Sequence, residues 1–190
     1  MIEVCCIPTH HDYPVRSFIK PLNNYRIEPL QEVHAWDILT WRYPVPYDFY
    51  NPPEDDRGQI YVREFTKPEL QFHAILNSAQ QLVGFCSYGI DGQVPGGDYS
   101  KSALDIGLGM KPEFTGQGLG KGFFSAILDF ARQTMSPGQI RLTVANFNKR
   151  AFRLYASFGF VSESQFTDRR NQVKYTILLA DSQKLAAAHK

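Results

Sequence analysis

The spacing of apolar and polar residues changes along this chain, and these changes predict where strands and helices lie. Residues 103–110 form an apolar run that predicts a strand. Residues 119–135 carry Leu119, Phe123 and Ile127 at the spacing of one helix face. Similar patterns predict further helices at 31–39 and 148–158, and further strands at 25–30, 69–76, 81–90, 139–144, 160–166 and 172–179. The order of these elements predicts an α/β fold with one strand–helix–strand crossover over residues 103–144.

The predicted elements divide the chain into one domain and two end segments. Residues 25–180 contain all of the periodic segments, and a chain of 190 residues with 43% hydrophobic residues is large enough for one sizeable core. Residues 1–24 contain Pro8, Pro14 and Pro21 and keep no period, so we interpret them as an N-terminal extension. Residues 181–190 are interpreted as a C-terminal tail with a frayed helix.

Charge and cysteine content restrict the class of protein. The net charge of +1 provides no basic arm for nucleic acid and no patch for an anionic membrane, and no apolar run approaches the ~20 residues that span a bilayer. Cys5, Cys6 and Cys86 form no paired framework, so we expect a reducing, cytoplasmic location. His10 and His11 follow the first two cysteines, but the group lacks a clear zinc spacing, and no metal is expected.

A glycine-rich loop, residues 115–122, follows the strand 103–110 and precedes the helix 119–135. Glycine lets a ligand approach the backbone closely, and the free N–H groups of a helix N-terminus attract anions, so the loop is predicted to bind a pyrophosphate. The loop lacks the spacing of a Walker nucleotide loop, because Gly120-Lys121 is followed by Gly122. It also lacks the dinucleotide spacing, because Lys121 and Phe123 stand where a third glycine is needed.

A third known glycine pattern, Arg/Gln-x-x-Gly-x-Gly/Ala, fits the loop better. A second motif begins at Asn148, continues through Ala151 and Leu154-Tyr155, and ends at Gly159-Phe160. Together, in this order and with a strand between them, the two segments resemble the motifs of the GNAT superfamily of N-acetyltransferases. One position departs from the pattern: Thr115 stands where the family usually has Arg or Gln.

The resemblance implies a fold and a co-substrate. The fold would be a mixed, mostly antiparallel sheet of about six to seven strands, splayed at its centre after residue 110 and flanked by helices on both faces. Acetyl-CoA would place its pantetheine arm along the backbone near Leu108 and Met110, with Asn148 contacting the arm or the pyrophosphate. The residues expected at the pyrophosphate are Thr115, Gly116, Gln117, Gly118, Leu119, Gly120 and Lys121.

The implied reaction moves an acetyl group directly to a primary amine in a ternary complex. Tyr155 matches the family tyrosine that gives a proton to the departing thiolate, although a core tyrosine would show the same pattern. Asp105 on the central strand is the first candidate for the general base, and His73 is the second. Glu113 is expected to face solvent, and Thr143 stands where some relatives carry a glutamate, so a water relay is an alternative.

The acceptor is expected to be a protein α-amine, a lysine or a small amine. The proline-containing aromatic segment of residues 41–50 falls where relatives place the acceptor pocket, but it would also fit a loop packed on the sheet. It lacks an acidic cluster, which argues against a polycationic acceptor. A non-catalytic acyl-CoA-binding or sensor domain of the same fold is the alternative function, and a monomer or homodimer is expected.

Overall fold

A computed structural model describes residues 25–185, which form four helices and seven strands. Residues 1–24, with the predicted extension and its cysteine–histidine group, lie outside the described part, as do residues 186–190. The helices are α1 (Glu32–Leu39), α2 (Gly58–Phe65), α3 (Gly120–Met135) and α4 (Lys149–Ser157). The strands are β1 (Arg26–Pro29), β2 (His73–Leu76), β3 (Leu82–Tyr88), β4 (Leu104–Met110), β5 (Gln139–Ala145), β6 (Val161–Thr167) and β7 (Lys174–Asp181).

The seven strands form one open sheet in the order β1-β2-β3-β4-β5-β7-β6. Every neighbouring pair is antiparallel except β4–β5, which is parallel and is joined by the crossover through α3. This is the mixed, mostly antiparallel sheet that the resemblance implied. β4 and β5 lie near the centre of the sheet, so the geometry of this parallel pair affects the strands on both sides of it.

The sheet splits between β4 and β5. The two strands pair only at Leu104–Ile140 and Asp105–Arg141, and then they separate. We call this point the β4–β5 fork. From Ile106 onward, the edge of β4 that faces β5 therefore lacks a partner strand among the described residues. The predicted splaying is confirmed, although it begins after Asp105 and not after residue 110.

Two hydrophobic clusters cover opposite faces of the sheet. One cluster contains Phe123, Phe124 and Ile127 of α3. It also contains Ile106 of β4 and Tyr155 of α4. The second cluster joins α1 and α2 to the other face and contains Trp41, Val62, Phe65 and Phe85. The helices thus flank both faces, as the resemblance implied.

Local sequence signals explain most element boundaries. Asn148 caps α4, since its Oδ1 accepts a hydrogen bond from the N–H of Ala151 at 3.1 Å. Gly159 ends that helix at a φ of 98°, a conformation that favours glycine. The strand predicted from residue 69 begins only at His73, because a 3-10 turn at Pro68–Leu70 precedes it. No helix in the described part of the chain is long and apolar enough to cross a membrane.

Two predictions near the ends of elements were incomplete. The sequence of residues 63–65 fits either a short strand or the end of a helix, and these residues form the last turn of α2, which begins at Gly58. The tail was predicted to be helical from residue 181, but β7 extends to Asp181 and residues 182–184 form a turn.

Candidate active site

The glycine loop presents a row of free backbone donors at the start of α3. Gly116 and Gly118 adopt φ angles of 76° and 79°, which other residues rarely reach. Within the described residues, no oxygen accepts a hydrogen bond from the N–H groups of residues 116–122. A Cβ at Gly118 would meet nothing within 4 Å, so no side chain fills the concave side of the loop. These N–H groups and the helix N-terminus form an anion site.

Arg150 adds a cation to this loop that the sequence analysis missed. Its guanidinium lies 3.9 Å from the position that a Cβ of Gly116 would occupy, and it stacks on the Tyr47 ring at 3.9 Å. Thr115 turns its hydroxyl inward, because Oγ1 donates to the carbonyl of Pro112 at 2.8 Å. The first turn of α4 therefore supplies the long cationic side chain that the loop itself lacks at Thr115.

The free edge of β4 continues from the glycine loop into the fork. The N–H of Lys111 donates a hydrogen bond to the carbonyl of Val83, and the N–H of Gly89 donates one to the carbonyl of Asp105. The backbone groups of the odd-numbered residues of β4 therefore face β3. The N–H and C=O groups of Ile106, Leu108 and Met110 consequently face the gap toward β5. The Met110 carbonyl accepts a hydrogen bond from the Tyr43 hydroxyl at 2.8 Å. The N–H and C=O groups of Leu108 lie beyond the last β4–β5 pair and are available to an extended ligand.

A cavity of about 750 Å³ runs along this edge and crosses the fork. The predicted residues that line it are Leu108, Met110, Thr115, Gly116, Gly120, Asn148 and Tyr155. The other predicted loop residues, Gln117, Gly118, Leu119 and Lys121, do not line the cavity. Gln117 instead donates from Nε2 to the Glu113 carbonyl at 2.6 Å. The structure thus brings seven of the predicted residues to one cavity.

Tyr155 lies in the cavity wall with most of its side chain buried. Its ring packs against Phe124 at 4.8 Å and Phe160 at 6.2 Å, and only 7% of the residue is exposed. Burial raises the pKa of the hydroxyl well above its usual value, with a further contribution from Tyr50. The hydroxyl therefore stays protonated at neutral pH and has a proton to donate. Tyr155 is at once a core residue and a cavity residue, so its two interpretations do not exclude each other.

The aromatic segment of residues 41–50 also combines the two roles considered for it. Tyr47, Phe49 and Tyr50 pack on Phe147, with ring centroids 5.6–6.4 Å apart. The segment nevertheless contributes to the cavity wall through Trp41, Tyr43, Tyr47 and Tyr50. The Tyr50 hydroxyl is the partner of Asn148 Nδ2 at 3.4 Å, and burial raises the pKa of that hydroxyl to about 12.

Asp105 is held in an ion pair and does not line the cavity. Its carboxylate accepts hydrogen bonds from Arg141 Nε at 2.6 Å, from Arg141 Nη2 at 2.7 Å and from Gln93 Nε2 at 2.8 Å. Only 3% of Asp105 is exposed. These three donors occupy the carboxylate oxygens, which do not open into the cavity. The geometry favours a structural role for Asp105 over its predicted role as general base.

The alternative bases also lie away from the cavity. His73 is enclosed by the rings of Tyr88 and Phe130, and burial lowers its pKa. Glu113 is largely exposed, 3.5 Å from Lys111. Thr143 does line the cavity, and its hydroxyl lies 3.0 Å from the Tyr99 hydroxyl. None of these three side chains combines a position in the cavity with a basic group.

Asp91 is the acidic residue of the cavity wall, and sequence reasoning missed it. It lies in the 3-10 turn Ile90–Gly92 that follows β3, where the residue as a whole is exposed and its carboxyl is partly covered at the hydrogen bond with Ser87. That partial desolvation raises its pKa, while the hydrogen bond from Ser87 Oγ at 2.7 Å acts in the opposite direction. The sequence offered only a polar, glycine-containing loop at 91–102. The place of Asp91 beside the fork depends on how β3 and β4 pair.

No metal site was found among residues 25–185. Within that range, no group of three or more His, Cys, Asp or Glu side chains could hold an ion.

Comparisons with known proteins agree with this geometry. The sequence model of the acetyltransferase (GNAT) family matches residues 30–160. A search of curated proteins found no significant match. Among solved structures, a chimera of the Vibrio cholerae spermidine N-acetyltransferase and hSSAT superimposes with a TM-score of 0.66 at 18% identity, covering 85% of this chain and 97% of the other. A dodecameric structure of the Vibrio cholerae enzyme gives 0.60 at 17% identity, covering 85% and 95%. At these identities, the structural likeness establishes the fold alone.

Proposed function

Because the chain belongs to the acetyltransferase (GNAT) family, we propose that it transfers an acetyl group from acetyl-CoA to the nitrogen of a small primary amine. The observation that carries the proposal is the continuous cavity, which joins an anion-binding loop, a free strand edge and a protonated tyrosine. The loop and the strand edge fit two parts of the co-substrate, and the tyrosine fits one step of the reaction.

The glycine loop fits a pyrophosphate. Its free N–H groups at residues 116–122 provide neutral donors, and Arg150 provides a charge-assisted donor beside Gly116. No side chain occupies the concave side of the loop at Gly118. The departure of Thr115 from the family pattern is offset by Arg150, so we propose that pyrophosphate binding is retained.

The free edge of β4 fits the amide groups of a pantetheine arm. Leu108 offers an N–H and a C=O group beyond the last β4–β5 pair, so an extended chain could add to this edge as a strand does. Asn148 and Tyr155 stand on the opposite side of the same cavity. An arm of this kind would lead from the glycine loop to the fork, and its reactive end would lie near Tyr155.

The reaction then requires a neutral amine and a proton for the leaving group. The amine nitrogen bonds to the acyl carbon, the carbon–sulfur bond breaks, and the sulfur leaves as a thiolate. Tyr155 is proposed to hydrogen-bond the sulfur and to give it a proton, because burial keeps its hydroxyl protonated. The main-chain N–H groups at the fork are proposed to stabilise the oxyanion.

The proposal keeps two further expectations from the sequence. A cytoplasmic location rests on the cysteine content, and a monomer or homodimer remains the expected assembly. The dodecamer described for the Vibrio cholerae enzyme belongs to that protein.

Thermal unfolding with added ligands tests the proposal first. At ~100 times its dissociation constant, a ligand of the folded state adds ~2.7 kcal/mol, which raises the midpoint by roughly 5–11 °C for a chain of this size. We expect this rise with acetyl-CoA and CoA but not with ATP or NAD. No rise at saturating acetyl-CoA would refute the proposal. A rise without thiol release from any amine of a broad panel would identify the protein as the non-catalytic acyl-CoA-binding alternative.

Replacing Gly118 with Val is expected to abolish the acetyl-CoA-dependent rise in the unfolding midpoint. A φ of 79° costs a residue with a Cβ ~1–2 kcal/mol, and a β-branched side chain more, so the loop would turn its N–H groups away. The midpoint without ligand checks that the variant still folds. Gly138→Ala is the matched control, because Gly138 has an ordinary φ and open space around it. A normal rise for the Gly118 variant would remove the loop from the binding site.

Replacing Arg150 with Ala is expected to weaken acetyl-CoA binding by roughly tenfold, the value of one charge-assisted hydrogen bond at an exposed site. Titration calorimetry measures this, and the affinity of the variant should depend less on salt than that of the parent. Arg153→Ala is the control, because Arg153 is an exposed arginine on the same helix outside the cavity. Equal affinities for the two variants would show that Arg150 does not contact the phosphates.

A further inference from the structure

Two of the residues of β4 that face α1 and α2 are glycines, Gly107 and Gly109. A Cβ at Gly109 would lie 2.5 Å from the Phe85 ring, and a Cβ at Gly107 would lie 2.4 Å from Ser87 Oγ and 3.2 Å from Asp91 Oδ2. These two glycines allow an aromatic ring and a carboxylate to approach the strand backbone beside the fork. The cavity lining also includes residues on this face, which is opposite α3, among them Ile38 of α1 and Phe65 of α2.

This part of the cavity is rich in aromatic side chains. Its wall includes Trp41, Tyr43, Tyr61, Phe65 and Phe85. Aromatic faces of this kind bind apolar groups and also attract a cation. The wall thus fits a molecule with an apolar or aromatic body and a single positive charge.

Asp91 is the one acidic residue among the described residues that line the cavity. Three other acids next to the wall are each bound by a cation: Asp37 by Lys111 at 3.1 Å, Asp55 by Arg57 at 2.7 Å and Asp105 by Arg141 at 2.6 Å. Asp91 has no ion-pair partner among the described residues, and its one side-chain hydrogen bond comes from the neutral Ser87. A second ammonium in the cavity would have no carboxylate to pair with, and an unpaired buried charge is strongly unfavourable.

We propose that Asp91 binds the acceptor's ammonium and acts as its general base, and that the acceptor is an apolar or aromatic primary monoamine. This inference rests on the proposed acetyl transfer and specifies its acceptor. Asp91 takes one proton from the ammonium. The neutral nitrogen attacks the thioester carbon, the carbon–nitrogen bond forms and the carbon–sulfur bond breaks. The proton of the tetrahedral nitrogen replaces the one that Tyr155 gives to sulfur, so the products are an acetamide, a thiol and the proton on Asp91.

The position of Asp91 suits this role in two ways. Its carboxyl lies beside Gly107, and so next to the stretch of β4 that the pantetheine arm would reach. Partial desolvation raises its pKa, which makes it a stronger base than a fully solvated aspartate once it is ionised. The charged groups on the adjoining strands are Asp105 of β4 and Arg141 of β5, and they neutralise each other in their ion pair.

The first test compares acceptors. With acetyl-CoA saturating, 2-phenylethylamine, spermidine and a short peptide with a free α-amine are assayed by thiol release. We expect kcat/KM for 2-phenylethylamine to exceed the value for spermidine by at least tenfold. Equal or higher values for spermidine would overturn the acceptor class while leaving acetyl transfer intact. If acetyl-CoA fails to raise the unfolding midpoint, the proposed function itself has failed, and the two failures are thereby distinguished.

The second test replaces Asp91 with Asn, which keeps the shape and removes the charge. We expect kcat/KM for 2-phenylethylamine to fall about 10²–10³-fold, with acetyl-CoA affinity unchanged. Calorimetric binding of the amine to the CoA complex should also weaken at least tenfold, a readout independent of turnover. Asp56→Asn is the matched control, because Asp56 is exposed and lies outside the cavity.

The pH profile separates a base from a merely structural residue. Because its pKa is raised, Asp91 becomes a base only above a higher pH than a free aspartate would. We expect kcat/KM of the parent to fall as the pH drops through that pKa, and the Asp91→Asn profile to lose this acid limb. Parallel profiles for the Asp91 and Asp56 variants, with equal amine binding, would overturn the role of Asp91.

Discussion

Replacing Tyr155 with Phe is expected to lower kcat for acetyl transfer by about 10²–10⁴-fold, the usual contribution of a positioned general acid. The phenyl ring keeps the packing against Phe124 and Phe160, so the unfolding midpoint should change little. Acetyl-CoA affinity should also stay close to that of the parent, because the hydroxyl is proposed to act mainly on the departing sulfur. Single-turnover thiol release measures the effect directly.

A buried tyrosine outside the cavity provides the control for this prediction. Tyr175 on β7 is buried but does not line the cavity, so Tyr175→Phe should leave turnover unchanged. The pH dependence is a second check, because burial keeps the Tyr155 hydroxyl protonated well beyond neutral pH. Its deprotonation should not limit the rate between pH 6 and about 9. Unchanged turnover of the Tyr155 variant at every pH would exclude the hydroxyl from the reaction.

The sequence predicted those elements whose signals are local. The glycine loop lies between a strand and a helix of clear periods, and the predicted bounds of β4 and α3 differ from the observed ones by one residue. Asn148 and Gly159 mark the two ends of α4 through capping preferences that do not depend on the rest of the fold. Helix α2 was only partly recognised, because it begins with a glycine after a loop with Pro52 and Pro53 and buries Val62 alone.

The candidate site depends more on long-range pairing than on local signals. Asp91 reaches the cavity because β3 and β4 pair with Ser87 opposite Gly107, which brings residues of two strands to one carboxyl. Asp105 was correctly placed on the central strand, but its partner Arg141 lies 36 residues away on β5. No pattern within either segment reveals that contact. The loop and the tyrosine were therefore predicted, whereas the acids needed the sheet register.

The sheet register places the Asp105–Arg141 ion pair at the fork. Breaking this ion pair is the second large effect that we expect. The two residues are the last cross-strand partners before β4 and β5 separate. Arg141 also donates from Nη1 to the Lys101 carbonyl at 2.8 Å and lies 4.9 Å from the centre of the Tyr99 ring. With only 3% of each residue exposed, the pair holds the strands together in a site that water barely reaches.

Arg141→Met is expected to destabilise the protein by ~3–5 kcal/mol, because Asp105 would remain buried with Gln93 as its only side-chain donor. For a chain of this size the unfolding midpoint would fall by roughly 6–20 °C. The double variant Asp105→Leu/Arg141→Met removes both charges, and it should recover most of that loss if the unpaired carboxylate is its cause. Arg57→Met is the matched single control, since both Arg57 and its partner Asp55 are exposed.

The double variant also separates stability from function. If the ion pair serves only to hold the fork, the recovered double variant should bind acetyl-CoA and turn over an amine at rates near those of the parent, because neither residue lines the cavity. A stable double variant that binds acetyl-CoA but has lost turnover by 10²-fold or more would restore Asp105 as the general base. The same variant thus decides between Asp105 as a support of the fork and Asp105 as a catalytic group, and it does so independently of the Asp91 test.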